Sequence, residues 1–264
     1  MPAPLAAVFL CAACLGVPPP PAGLHELVDL PESLPKGPAA ASRFLAEADV
    51  AWQRRDDPAE VETALQGYWR AVAADPREPA GYWKAARACV LLGQLQEGKE
   101  KRAETFLRGL RTTQLLLERD DSVAEAHYYY ALNLGLLAQE RPTRGHEAVK
   151  EMLPHLERTA QLDPDLDGAG AYRTMALVYL RAPGWPTSVG DEAAGLDYAR
   201  RAVERFAGHP GNRLALAEAL QANGKRDRAR AELDKARELA AGQDWTGFER
   251  EDFGLQAAAL EKQL

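Results

Sequence analysis

The stretch Asn212–Ala240, NRLALAEALQANGKRDRARAELDKARELA, decides how the rest of the chain is read. In its first half Leu214, Leu216, Ala217 and Leu220 gather on one side. In its second half Ala229, Leu233, Ala236 and Leu239–Ala240 gather on one face. Both halves follow the helical period, not the alternation of a strand. Asn223-Gly224 between them marks a tight turn. Ala217, Ala229 and Ala236 stand where two helix backbones must approach, and a bulky side chain there would wedge them apart. One such hairpin cannot bury its own apolar face, so it predicts copies of itself elsewhere in the chain.

Copies are present. Ala64-Leu65, Tyr68, Ala71 and Asp75-Pro76 carry the spacing of Ala229, Leu233 and Ala236. The helices preceding them share an aromatic, then small residues, then a large residue: Tyr82, Ala85-Ala86, Cys89 and Gly93, and again Tyr172, Met175-Ala176 and Tyr179. Asp75-Pro76 and Asp163-Pro164 end their helices alike. These spacings resemble the tetratricopeptide repeat (TPR) over about residues 40–240. The fold class expected is all-α: an α-solenoid of about five TPR-like hairpins. The predicted pairs are 41–53 with 58–74, 79–93 with 97–118, 122–139 with 143–162, 168–181 with 191–207, and 211–222 with 226–241. A closing helix near 247–263, with Phe248, Phe253, Leu255 and Leu260, would cap the open end of the last unit. Pro154 is expected to kink or break its helix. Asp191 is expected to cap the helix after it.

Ahead of this body the composition changes. Leu5–Val17, LAAVFLCAACLGV, is uncharged and apolar, too short to span a bilayer comfortably and suited to the core of an export signal. Residues 1–17 are therefore read as a signal peptide, 18–39 as a Pro-rich tether and 40–264 as the folded domain. Cys11-Ala12-Ala13-Cys14 has C-x-x-C spacing, but an apolar export segment offers no thiolate stabilisation for a redox or zinc site. It reads instead as a lipoprotein signal with Cys14 lipidated, although Cys11 stands where an aliphatic residue is usual. Plain secretion and retention in the cytosol are the alternatives.

The chain has 264 residues, 46% hydrophobic and 27% charged, with a net charge of −7. That balance suits a folded protein and argues against nucleic acid as a main partner. No catalytic constellation is evident. None of the four serines lies in G-x-S-x-G, and no histidine pair has the zinc-hydrolase spacing. Asp163-Pro-Asp165-Leu-Asp167-Gly168 opens like a calcium loop, but Thr174 stands where the bidentate Glu belongs. Cys89 reads as a small core residue, and Glu97–Glu104 as a solvated helical face. No cofactor or metal is expected, and the function is read as non-catalytic binding.

In a TPR superhelix the first helix of each pair lines the concave face. That register directs Trp83, Arg87, Tyr128, Arg173 and Leu177 into a groove. Aromatic residues and arginine are the usual energetic anchors of an interface, although Trp83 and Tyr128 serve equally well as packing between repeats. Successive helical residues turn by about 100°, so Tyr128–Tyr130 cannot all point one way. The loop Ala182–Asp191, APGWPTSVGD, is longer than a turn needs, and its Trp185 either anchors the loop or meets a ligand.

His127–Gly135, HYYYALNLG, with Leu162-Asp163-Pro164, the GWPTSVGD loop and Asn212–Leu220, resembles the T component of TRAP transporters, the TatT family. The regulators of microtubule dynamics are similar over the same region. The first resemblance implies an exported lipoprotein at the periplasmic face of a bacterial membrane, associated with a solute-binding protein and touching the membrane only through its lipid. A carrier of a small apolar ligand and a cytosolic interaction module remain open. The regular hairpin 212–240 is expected to be structural, with the site in the irregular units before it.

Overall fold

The computed structural model describes residues 21–141, 145–184 and 186–264. Among them are eleven α-helices and no strand beyond an isolated bridge between Gly184 and Gly190. They pair as α1 (Pro38–Trp52) with α2 (Pro58–Ala74), α3 (Pro79–Leu95) with α4 (Lys99–Leu117), α5 (Ala124–Glu140) with α6 (Gly145–Leu162), α7 (Leu166–Arg181) with α8 (Glu192–Arg205), and α9 (Pro210–Ala222) with α10 (Arg226–Ala241). A last helix, α11, covers Gly247–Glu261. These are the five hairpins and closing helix expected, with bounds agreeing to within a few residues.

Local chemistry starts and stops the helices. Proline at the first turn opens α1, α2, α3 and α9, where its missing N–H costs nothing. Asp191 caps α8 as expected, accepting from the amides of Ala193 and Ala194 at 2.9 and 3.0 Å. Gly224 ends α9 with φ +71°, and the Lys225 and Gly224 amides return to the carbonyls of Leu220 and Gln221. That is a Schellman turn, and it needs the left-handed residue that glycine supplies. Pro154 does not break α6, which runs through it. Its ring lies on the exposed face, where water can take the carbonyl that loses its partner.

Small residues set how closely the helices pack. Ala217, Ala229 and Ala236 are fully buried, as the close approach requires. At Gly109 on α4 a Cβ would meet the Asn133 amide of α5 and lie 2.7 Å from Cys89 Cβ of α3. Asn133 is fully buried and donates to the Ala86 carbonyl of α3 at 3.1 Å, tying two inner helices together. Cys89 is core, and burial pushes its thiol up to about 12.

Two segments depart from expectation. Residues 21–37, read as part of an extended tether, are docked on the body. Leu27 and Val28 are buried, Arg108 Nε donates to the Leu27 carbonyl at 3.1 Å, and the Gly37 amide donates to Ala74. Leu24, Leu27, Val28, Leu30 and Leu34 pack the strap against the first two hairpins. Helix α11 does pack on the last hairpin through Ala257 and Leu260, but Leu255 is 65% exposed and Phe248 packs against the core of the first two units instead. The Gly247 amide donates to Asp56 Oδ1 at 2.7 Å, and Arg55 pairs with Glu249 at 3.5 Å. The last helix thus reaches back to the α1–α2 turn.

Two measurements check this packing. Gly109→Ala ordinarily gains about 0.5–1 kcal/mol in a helix, but overpacking at this crossing costs about 1–3 kcal/mol. A net loss in denaturant midpoint is therefore expected, and a gain would refute the close approach. Arg55→Ala with Asp56→Ala removes the clasp on α11. Cleavage by a non-specific protease is expected to rise within 242–246, while the far-ultraviolet circular dichroism keeps its helical shape.

Candidate functional site

The first helices of the hairpins line the concave side, and α11 crosses it. Together they line a half-open chamber of about 440 Å3. Its walls are Trp52 and Arg87 on the first two units, Tyr128, Tyr129 and Leu132 on α5, and Asp167, Arg173 and Leu177 on α7. Helix α9 adds Leu214 and Glu218, and the segment leading into and along α11 adds Trp245, Phe248, Asp252 and Phe253. Four residues expected in the groove, Arg87, Tyr128, Arg173 and Leu177, therefore line it. Trp83 stands just behind, stacked on Tyr129 with centroids 6.2 Å apart and planes 7° from parallel. Trp185 and Cys14 lie outside the described residues. The rest of the 182–191 loop closes on itself through Gly190–Pro183 and Thr187–Gly184 bonds, and none of its described residues lines the chamber.

The chamber's most constrained corner is the start of α7. Asp167, Gly168 and Ala169 have φ of 52°, 59° and 66°. Left-handed backbone costs non-glycine residues about 1–2 kcal/mol each, so the surroundings must hold it. Arg173 does so. It pairs with Asp167 Oδ2 at 2.6 Å, reaches the Asp167 and Gly168 carbonyls at 3.3 and 3.4 Å, and donates to Asn212 Oδ1 at 2.8 Å. Asn212, fully buried, returns a bond to the Gly168 carbonyl at 2.9 Å. Tyr128 donates to Asp167 Oδ2 at 2.6 Å, in space left by the missing side chain of Gly170. Arg173 and Tyr128, both expected as binding residues, thus also hold this turn in place while lining the chamber. Asn212, in the hairpin expected to be purely structural, is part of this corner. Asp165 pairs with Arg205 and Asp167 with Arg173, so the acidic run is divided between two partners.

Arg87 differs. Its guanidinium carbon lies 4.2 Å from the centre of the Trp52 ring and 5.4 Å from that of Trp83. Its Nε is buried with no hydrogen-bond partner among the described residues. The other chamber arginines and their neighbours are paired: Arg173 with Asp167, Arg181 with Glu218, and Arg55 with Glu249.

The three tyrosines point three ways, as helical geometry demands. Tyr130, buried in the core, turns to α6, donates to Glu151 and stacks on His155 at 4.0 Å. His155 Nδ1 lies 2.8 Å from His127 Nδ1, and His127 Nε2 lies 2.8 Å from the Asp121 carbonyl. A carbonyl only accepts, so neutral His127 carries its proton at Nε2 and accepts at Nδ1 from His155 Nδ1–H. Burial holds His155 down to about 4, with His127 adding to the effect, and burial lowers His127 as well. His209, on the chamber wall, is held down to about 4 by burial and by Arg173.

Residues 44–169, slightly less than half of the chain, match the family model "Regulator of microtubule dynamics protein 1-3". Comparison with curated proteins gives no match. Among solved structures, the chain is similar to TTC0263, a thermophilic TPR protein of Thermus thermophilus, with a TM-score of 0.60 and 19% identity over 84% of this chain and 99% of that one. It is also similar to MamA, with a TM-score of 0.50 and 17% identity over 76% of this chain and 92% of that one. At such identities the likeness concerns the fold: this is a TPR-like helical repeat protein.

Neutral buried histidines make stability pH-dependent. Each takes up its proton on unfolding, so between about pH 6.5 and 4 the unfolded chain binds more protons and stability falls as pH falls. Glu151 acts in the opposite sense, because burial raises its carboxyl. With three histidines against one carboxyl, the melting temperature is expected to drop from pH 7 to pH 4.5. His155→Gln should make that slope shallower, measured by thermal melts across the range.

Proposed function

We propose that the protein is a non-catalytic TPR-like scaffold that receives part of a partner protein in its concave chamber. The observation that carries this reading is Arg87, a guanidinium in no ion pair among the described residues, set between two tryptophans on the wall of an aromatic-lined chamber. Arginine and tryptophan anchors in a largely desolvated site concentrate binding energy. The finer reading follows from the sequence: an exported lipoprotein anchored through Cys14 at the periplasmic face of a bacterial membrane, serving the solute-binding component of a TRAP-type transporter. The uncharged run Leu5–Val17 and the resemblance to the T components support it.

A carrier of a small ligand is the second reading, favoured by the finite volume of a chamber that α11 crosses. The aromatic residues Trp245, Phe248 and Phe253 give such a ligand an apolar wall.

Trp83→Ala with Arg87→Ala is expected to weaken capture of a co-encoded solute-binding protein by about 30-fold or more, the effect of losing a strong interface anchor. Capture that survives this double change would overturn the chamber as the docking site. Fractionation tests the anchor: Cys14→Ala should move the protein from the membrane to the soluble fraction, and a wild-type protein that is soluble and retains residues 1–17 would favour the cytosolic alternative.

A further inference from the structure

We infer that the chamber binds a small monocarboxylic acid with an apolar or aromatic body, its carboxylate gripped by Arg87. This rests on the second reading above, the small-ligand carrier, and adds the chemistry of what enters the chamber. A guanidinium stacked on an indole keeps its N–H edge free, and that edge matches the two oxygens of a carboxylate. Among the described residues Arg87 takes part in no ion pair, and its Nε is buried without a partner. The indoles of Trp52 and Trp83 offset part of the cost of holding that cation away from water. A carboxylate arriving at the open edge supplies the missing counter-charge and hydrogen bonds.

The rest of the wall narrows the ligand further. Glu218 and Glu249 are already paired with Arg181 and Arg55, and Asp252 on α11 adds a further negative charge, so a dianion such as a phosphate monoester meets more repulsion there than a single negative charge at Arg87. Trp245, Phe248 and Phe253 face the chamber together with Leu132 and Leu177, which calls for an apolar body. The volume of about 440 Å3 lies in the range of small-molecule pockets. The contact of Gly247 with Asp56 draws α11 across the concave side, which suits a compact ligand better than a long chain.

The test is calorimetric titration of the full chain with 4-phenylbutyrate, 4-phenylbutyramide and 4-phenylbutylphosphonate. The acid is expected to bind at least about 10-fold more tightly than the amide, the size of one charge-assisted hydrogen-bond pair, and more tightly than the phosphonate. Arg87→Gln should bring the acid down to the affinity of the amide and leave the amide unchanged. Arg87→Lys, which keeps the charge and loses the planar fork, should fall between. Should Arg87→Gln fail to fold, the ratio of acid to amide on the wild-type chain still decides. Equal binding of acid and amide overturns the carboxylate assignment and leaves the chamber as a binding site. Failure of every probe to bind at millimolar concentration overturns the inference. If partner capture remains sensitive to Trp83→Ala with Arg87→Ala, the scaffold reading then stands without it.

Discussion

Close approach between helices at small residues is the constraint on which this solenoid depends. No hairpin here can bury its apolar face alone, so each must lie against the next. Ala217, Ala229 and Ala236 allow that contact in the last hairpin, and Gly109 allows it where α4 crosses Cys89 and Asn133. Asn133 then ties α5 to α3 through the Ala86 carbonyl. The inner helices are held at a spacing that leaves a concave face. The polar side chains on that face are positioned by this packing.

The chamber wall divides its charged residues between two tasks. Arg173 commits its donors to the left-handed turn at Asp167–Ala169 and to Asn212, joining the start of α7 to α9. Arg181 and Arg55 are neutralised by carboxylates. Arg87 rests on aromatic faces instead. Two indoles stabilise the cation without occupying its hydrogen-bonding edge.

Much of the fold was legible because helical periodicity is local. The spacing of Leu214, Ala217 and Leu220 marks one helix, the Asn223-Gly224 turn ends it, and Pro58, Pro79 and Pro210 mark the openings of others. The concave register was legible too, placing Arg87, Tyr128, Arg173 and Leu177 on one surface. Their separate roles were not. Nothing in the order of residues reveals that Arg173 meets Asn212, 39 positions away, or that Tyr128 is held by Asp167. Proline content misled at residues 21–37, where apolar side chains dock the strap on the first two hairpins. It misled again at Pro154, whose exposed position spared the helix.

By itself the sequence determined the all-helical class, the number and bounds of the hairpins and the side of each that turns inward. These follow from contacts within a few residues or between neighbouring helices. Tertiary structure alone decided that α11 returns to the first hairpin, through a bond between Gly247 and Asp56 that spans 191 positions. It also decided that Arg87 rests on two indoles while Arg173 meets a carboxylate. The accumulated turn of the solenoid brings the last helix back to the first hairpin. That turn sums the packing angles of five hairpins, and no local pattern of residues records it.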